Sequence, residues 1–252
     1  MTIDPMYLIP PSEILSDYAI TTEEFIQHGR VFLHEMLIGR SRLLPHERIL
    51  ELGCGPGRAA RALTEYLSSQ GSYEGLDIRP SVITFCKDAY VPHPTFHFTL
   101  ADIHNSHYRP DGLHQQRDYV LPYIDEEFDL IFSGSLFTHL LASETNSYLK
   151  EIRRLLKLSG RLLSTFLLLT DETRANAASN KDSINFRFSY SHDDCMVLNP
   201  ENPAQGVAYD ESWVRTALAR HGFRVCEITY GYWGGGRDVL GSQQDIVIAV
   251  PT

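Results

Sequence analysis

With 252 residues, a hydrophobic fraction of 43% and a formal net charge of −10, the chain has enough material for one α/β domain with elaborations and a real core. The acidic balance, 22 Lys and Arg against 32 Asp and Glu, argues against a general nucleic-acid or anionic-membrane binder, which needs surplus cations for phosphates. Cys54, Cys86, Cys195 and Cys226 lack CxxC spacing, so they read as buried thiols of a reducing compartment rather than zinc ligands or a disulfide framework.

Residues 1–20 read as irregular, punctuated by Pro5, Pro10 and Pro11, with no signal-peptide pattern. Thr21-Thr22-Glu23-Glu24 has capping-box spacing, and the helix behind it carries Phe25, Val31, Phe32, Met36 and Leu37. This extension, residues 1–45, reads as a helix packed on the domain edge or as a lid with Tyr7 and Tyr18 reaching in. The main domain is expected over 46–252. Ile49, Leu50 and Leu52 favour a strand covered on both faces, followed by the glycine turn Gly53-Cys54-Gly55-Pro56-Gly57 and a helix over 58–69. A strand is expected over 72–78, a helix over 81–90 with Pro80 in its first turn, and a strand over 95–100 running into Ala101-Asp102-Ile103.

Residues 104–123 read as a long polar loop, a kind more often functional than idle. Phe128–Phe132 is the next buried strand, leading into Ser133–Leu140, and a helix is expected over 143–156 with Arg153 and Arg154 on its solvated face. Gly160 is placed as the left-handed residue that ends that helix or in the turn after it. Residues 161–169 read as a long apolar strand, too short and too interrupted by Ser164 and Thr165 to cross a membrane, which points to a cytoplasmic protein. A loop-rich insertion is expected at about 170–209, with a short strand where Phe186, Phe188 and Tyr190 alternate. Asp210 would cap a helix closed by Gly222, and two strands, 223–230 and 245–250, finish the chain around the run Trp233-Gly234-Gly235-Gly236.

This alternation implies a single Rossmann-like, doubly wound α/β sheet, mainly parallel, with an antiparallel C-terminal strand pair and an N-terminal helical extension. Ligands of such sheets bind beyond the carboxyl ends of the strands. The glycine loop, Asp77, Asp102 and Ser133–His139 all fall there. A glycine loop with an acid about 20 residues on also suits a nicotinamide dinucleotide. Two features count against that reading. Arg58 stands where the dinucleotide fingerprint wants its third glycine or alanine, and Glu51 sets a negative charge that suits a sulfonium or ammonium better than a pyrophosphate.

Ile49–Gly57, Tyr73–Ile78, Leu100–Ile103, Phe128–Ser133 and Leu155–Leu162, in this order, resemble the ordered motifs of the class I S-adenosylmethionine-dependent methyltransferases. The resemblance covers about 46–169 and the terminal hairpin. It implies S-adenosylmethionine as cofactor, Asp77 on its ribose and Asp102 near its adenine amino group. Glu51, Gly53, Cys54, Gly55, Gly57, Arg58, Ile78, Ile103 and Ser133 complete the expected cofactor site. Tyr108–Gly112, Phe137–Leu140 and Gln244–Val247 also look like a bacterial subgroup that includes candidates for methylating sugars or other small metabolites. The chain lacks the Asn/Asp-Pro-Pro-aromatic signature of amino-methylating nucleic-acid enzymes, and a carboxylate cluster for magnesium after its fourth strand.

The expectation is therefore metal-independent methyl transfer to a small-molecule acceptor, foremost a hydroxyl oxygen of a sugar or natural product. The alternatives are a nicotinamide-dependent oxidoreductase and a non-catalytic S-adenosylmethionine-binding protein. His139, which titrates near neutrality just beyond the fourth strand, is the candidate base. Tyr123, Phe137, Tyr190, Tyr209 and Trp233 are candidate substrate-pocket residues, and His104 and His107 read as loop or pocket walls. Nothing in the sequence speaks to the oligomeric state.

Overall fold

The computed structural model of the chain describes residues 5–179, 186–235 and 242–252. Residues 1–4 of the N-terminal stretch, 180–185 of the insertion and Gly236 of the glycine run lie outside them. Contacts divide the chain into two units, Met1–Asp102 with Phe128–Phe132, and Ile103–Glu127 with Ser133–Thr252.

The first unit opens with a 3-10 turn at Pro5–Leu8 and the helix α1 (Ser12–Asp17). From its three prolines alone this region reads as irregular. Pro11 presets the extended entry at φ −54° and ψ 154°, Glu13 favours the first turn, and Leu8 and Leu15 are buried, which holds six residues helical. α2 (Thr22–Val31) starts with the expected capping box: Glu24 N–H donates to Thr21 Oγ1 at 3.2 Å, and Thr21 N–H donates to Glu24 Oε2 at 2.8 Å. It continues as a π-helix over Phe32–Arg40, with Ser41 N–H bonded to the carbonyl of Met36 at 2.9 Å. The wider turn changes which side chains share a face. Leu33, Met36 and Leu37 are buried, and Val31 is 37% exposed.

Four parallel strands follow: β1 (Arg48–Leu52), β2 (Ser72–Asp77), β3 (Phe96–Leu100) and β4 (Phe128–Ser133), in the order β4-β1-β2-β3. Glu51 is in register with Phe132 on one side and Gly75 on the other. Asp129 at the start of β4 accepts Arg48 N–H at 2.9 Å, which ties the two strands at their starts. α3 (Arg58–Leu63) is half the expected length, because the Thr64 hydroxyl turns back onto the Arg61 carbonyl at 2.7 Å and the chain leaves in turns. α4 (Pro80–Ala89) carries Pro80 in its first turn and buries Val82, Ile83 and Cys86. Gly29 of α2 packs so closely on the start of α3 that a Cβ would lie 2.4 Å from the Arg58 carbonyl oxygen.

In the second unit, residues 103–127 stay largely loop, tied by bridges Ile103–His114 and Asn105–Arg109 and a 3-10 turn at Gln116–Asp118. α5 (Ala142–Leu155) passes directly into β5 (Leu156–Phe166). Leu156 is already extended at φ −84° and ψ 129°, so Gly160 lies inside the strand and has no helix-ending role. Arg154 corrects another expectation. It is a strut rather than a solvated side chain, donating to the carbonyls of Leu121 and Tyr123 and pairing with Asp125 and Glu151.

Within the stretch expected to be loop-rich, the described residues form short regular elements between loops. β6 (Leu168–Leu169) precedes α6 (Asp171–Ala178), and β7 (Tyr190–His192), β8 (Cys195–Val197) and β9 (Val207–Asp210) complete a small sheet in the order β6-β9-β8-β7. Phe186 and Phe188 are not part of a strand but pack against Leu167, Ala208 and Trp233. These strands are too short to show a sequence period, and their partners are distant in the chain. α7 (Glu211–Arg220) is preceded by Asp210, whose carboxylate pairs with Arg174 instead of capping. Gly222 turns at φ 77° into the terminal antiparallel strands β10 (Phe223–Thr229) and β11 (Asp245–Pro251), and β11 pairs with β5. The mainly parallel, doubly wound α/β architecture with its antiparallel C-terminal pair is thus the one the sequence implies. Among the described residues no helix is long and apolar enough to cross a membrane.

Candidate active site

The glycine loop sits at the carboxyl end of β1. Gly53, Gly55 and Gly57 adopt φ of 75°, 52° and 81°, a region closed to most side chains. Gly53 and Cys54 both donate to the Leu76 carbonyl, at 2.8 and 3.0 Å. Asp77, at the end of β2, accepts Gly55 N–H on Oδ2 at 2.8 Å and Arg79 N–H on Oδ1 at 2.9 Å. The expected ribose acid therefore also fastens the loop. Burial raises its pKa, while the N–H groups of Arg79 and Gly55 pull the other way.

Glu51 lies on β1, two residues before the first glycine, and is 7% exposed. Its Oε2 accepts the hydroxyl of Tyr73, itself fully buried against Phe96 and Phe98. Burial pushes the Glu51 carboxyl up to about 8, against the pull of the Tyr73 hydrogen bond and of Arg58. A buried acid two residues before the glycine loop fits a cationic ligand such as the sulfonium or ammonium of S-adenosylmethionine. The folded protein holds a proton on Glu51 between its ordinary 4.5 and about 8, so this group's contribution to stability falls as pH rises through that window. A bound cation should favour the carboxylate. Calorimetry at pH 7 in buffers of different ionisation enthalpy is expected to show net proton release on cofactor binding, abolished in Glu51→Gln. Buffer-independent heats in the wild type would remove Glu51 from the cation's surroundings.

Tyr18 covers the loop. Its hydroxyl lies 3.1 Å from where a Cβ of Gly55 would stand, and its ring lies beneath the Arg79 guanidinium at 4.9 Å. Arg79 is held by Asp17 at the end of α1. Tyr7, in contrast, hydrogen-bonds His93 at 2.6 Å rather than the loop. Cys54 is buried, and burial pushes its thiol pKa up. Arg58 is half-buried and acts electrostatically on Glu51 and Tyr18. Ile78 and Asp102 are half-buried just beyond β2 and β3.

In the second unit, Ile103 is buried in the bridge to His114. Ser133 ends β4 fully buried, with a hydroxyl that has no hydrogen-bond partner. His139 is half-buried in a 3-10 turn over Phe137–His139. Its Nδ1 meets the Ala204 carbonyl at 3.0 Å and its Nε2 meets the Tyr108 hydroxyl at 3.3 Å. Burial lowers its pKa and His107 adds to that, while the Ala204 bond opposes both.

The aromatic candidates divide. Phe137, Tyr209 and Trp233 are core residues: Phe137 stacks on Phe166, Tyr209 bonds Thr145 and the Leu140 carbonyl, and Trp233 Nε1 donates to Asp245 at 2.7 Å. Tyr123 is half-buried beside the Arg154 strut, and Tyr190 is 49% exposed at the start of β7. His104 donates its N–H to the His114 carbonyl and His107 pairs with Asn202, as loop or wall residues would. Among the described residues no group of three or more His, Cys, Asp or Glu is arranged to hold a metal ion. Tyr73, Arg79 and Tyr108 were not assigned from sequence. For Tyr73 the signal was there, since strand β2 pairs with β1 and sets Tyr73 within reach of Glu51. Tyr108 had none, because its partner is 31 residues away beyond an irregular loop.

Residues 50–164 match the methyltransferase domain family. Solved structures similar along the chain include the PH0226 protein of Pyrococcus horikoshii OT3, with 16% identity, 99% of this chain and 100% of that one covered, and a TM-score of 0.62. An S-adenosylmethionine-dependent methyltransferase of Aquifex aeolicus has 15% identity, full coverage of both chains and a TM-score of 0.57. A Burkholderia thailandensis 1,6-didemethyltoxoflavin-N1-methyltransferase, solved with S-adenosylhomocysteine, has 15% identity, covers 96% of this chain and 84% of that one, and has a TM-score of 0.56. At such identities these structures establish the fold. With the methyltransferase domain of residues 50–164 carried on that fold, the chain contains a class I S-adenosylmethionine-dependent methyltransferase domain, whose cofactor is S-adenosylmethionine.

Proposed function

We propose that the chain methylates a hydroxyl oxygen of a small molecule, of the sugar or natural-product class, with His139 as the base. The observation that carries this reading is the setting of His139. A hydrogen bond from Nδ1 to the Ala204 carbonyl places the neutral ring's proton on Nδ1 and leaves Nε2 as the acceptor. Burial keeps the imidazole neutral, which is the form a general base needs. On the cofactor side, Glu51 would face the cationic centre, and Gly53, Cys54, Gly55 and Gly57 the methionine end. Asp77 would take the ribose, Asp102 with Ile78 and Ile103 the adenine, and Arg58 and Ser133 would complete the site. Bound there, S-adenosylmethionine supplies a methyl carbon on a sulfonium that an acceptor lone pair can displace. The protein aligns the acceptor and accepts its proton.

The net charge of −10 supports a small-molecule acceptor over a nucleic acid. A second reading, methylation of nitrogen, is favoured by the name of the Burkholderia thailandensis neighbour. A neutral amine nitrogen is a stronger nucleophile than a neutral hydroxyl and makes less demand on a base. The test is S-adenosylhomocysteine formation over a panel of monosaccharides, nucleotide sugars, phenols and amines. Turnover on a hydroxyl compound that falls about 100-fold in His139→Gln, with unchanged cofactor affinity, is expected. Turnover on amines alone would replace the oxygen reading with the nitrogen one, and a silent panel would overturn the small-molecule assignment.

A further inference from the structure

Tyr108 is the residue that closes off the lone pair of the candidate base. It lies in the loop after β3, where the Asn105 side-chain carbonyl accepts the N–H groups of both His107 and Tyr108, at 3.0 and 2.9 Å. The Asn105–Arg109 bridge, with N–H to carbonyl bonds of 2.9 Å in both directions, fixes the turn that carries the phenol. The ring stands edge-on to the His139 imidazole, with centroids 5.2 Å apart and planes at 87°. On the far side, His107 packs against Tyr108 at 4.5 Å and is tied to Asn202. His139 is thus held at both nitrogens, Nδ1 by a backbone carbonyl and Nε2 by the phenol. Its carbonyl partner Ala204 is itself 5% exposed, in the 3-10 turn Pro203–Gln205. Tyr108 is the exposed end of this chain of contacts, at 38%.

An acceptor arriving from solvent meets the phenol before the imidazole. We infer that Tyr108 and His139 act as one unit, in which the Tyr108 hydroxyl faces the acceptor and relays its proton to His139 Nε2. In that step the acceptor's O–H proton passes to the Tyr108 oxygen as the Tyr108 proton passes to Nε2. The electron pair left on the acceptor oxygen is the pair that forms its new bond to carbon. The imidazolium, still bonded through Nδ1–H to Ala204, returns one proton to solvent through the same phenol, and both side chains end as they began. The inference rests on the reading of His139 as base. It adds that His139 does not touch the acceptor directly.

Two measurements test it. The first needs no acceptor. Two-bond proton–nitrogen correlation spectra of the full chain, labelled on histidine and assigned with His139→Gln, should show a neutral His139 protonated on Nδ1 and a hydrogen-bonded Nε2. In Tyr108→Phe, which keeps the ring and loses the hydroxyl, the Nε2 resonance should move toward the position of a bare lone pair while the Nδ1–H tautomer stays. A proton on Nε2, or an Nε2 resonance unmoved by Tyr108→Phe, overturns the pairing. His107 also acts on His139, so His107→Gln is the control and should leave the tautomer in place.

The second is turnover on the best acceptor of the panel. Tyr108→Phe and His139→Gln should each lower kcat about 100-fold, with the KM for cofactor unchanged and the double variant no slower than either single one. A Tyr108→Phe enzyme within threefold of wild type, beside an inactive His139→Gln, would overturn the relay and leave the base. Full turnover in His139→Gln would overturn both.

Discussion

Asp77→Ala is expected to bind S-adenosylhomocysteine at least about 100-fold more weakly than the wild type, with a lower Tm for the free protein. Two losses combine. The first is the proposed contact with the ribose hydroxyls. The second is the anchor of the loop itself, since the carboxylate accepts the N–H of Gly55 at 2.8 Å and of Arg79 at 2.9 Å. A hydrogen bond to a charged group contributes about 1.5–3 kcal/mol, and 1.4 kcal/mol is a factor of ten in affinity, so the loss of either effect is measurable. Gly55 stands at φ 52°, where its geometry depends on what holds it. Asp77→Asn separates the two effects. Its single carbonyl can keep one of the two backbone donors, so the loop is half-anchored while the charge is gone. Isothermal titration reads the affinity and thermal unfolding reads the anchor. Wild-type affinity in Asp77→Ala would mean that the cofactor does not rest on this carboxylate.

The largest effect on stability is expected at Asp245. This carboxylate, 2% exposed at the start of β11, accepts three donors: Leu168 N–H at 2.6 Å, Gly231 N–H at 2.8 Å and Trp233 Nε1–H at 2.7 Å. It thereby joins β11, β6 and the turn that carries Trp233. Burial raises its pKa to about 6, against the pull of the same three donors. Removing the acceptor strands all three in a buried site, at about 1–3 kcal/mol each before relaxation. Asp245→Ala is therefore expected to cost about 4 kcal/mol or more in denaturant unfolding, with a smaller loss for Asp245→Asn. The asparagine carbonyl can serve Leu168 and Trp233, which share Oδ2, but its amide would face the Gly231 N–H. A loss below about 1 kcal/mol in Asp245→Ala would show that the three donors find other partners. The result bears on the assignment of Trp233, since a side chain committed to Asp245 and packed with Phe188 is not free to follow an acceptor.

The parts of the chain that were legible in sequence share one property: their physics is local. Ile49, Leu50 and Leu52 mark a buried strand wherever they fold, and three alternate glycines after it can take φ values that other residues resist. Thr21 and Glu24 cap each other across three residues. The order of the acids Glu51, Asp77 and Asp102 along alternating strands and helices was enough to put them at strand ends. The short strands within 170–209 were not legible for the opposite reason. β7, β8 and β9 have three or four residues each, and only their pairing with one another makes them strands.

The sequence by itself determined the fold class, the glycine loop, its acids and the family, because each rests on spacing within a few turns of chain. Only the tertiary structure decided what the polar side chains are for. Arg154 became a strut because loop 121–125 lies on it. Tyr209 and Trp233 became core because Leu140, Thr145 and Asp245 meet their polar ends. Tyr108 came to His139 across 31 residues. A long polar side chain has many possible partners and no period, and burial, set by the whole fold, selects the one it keeps.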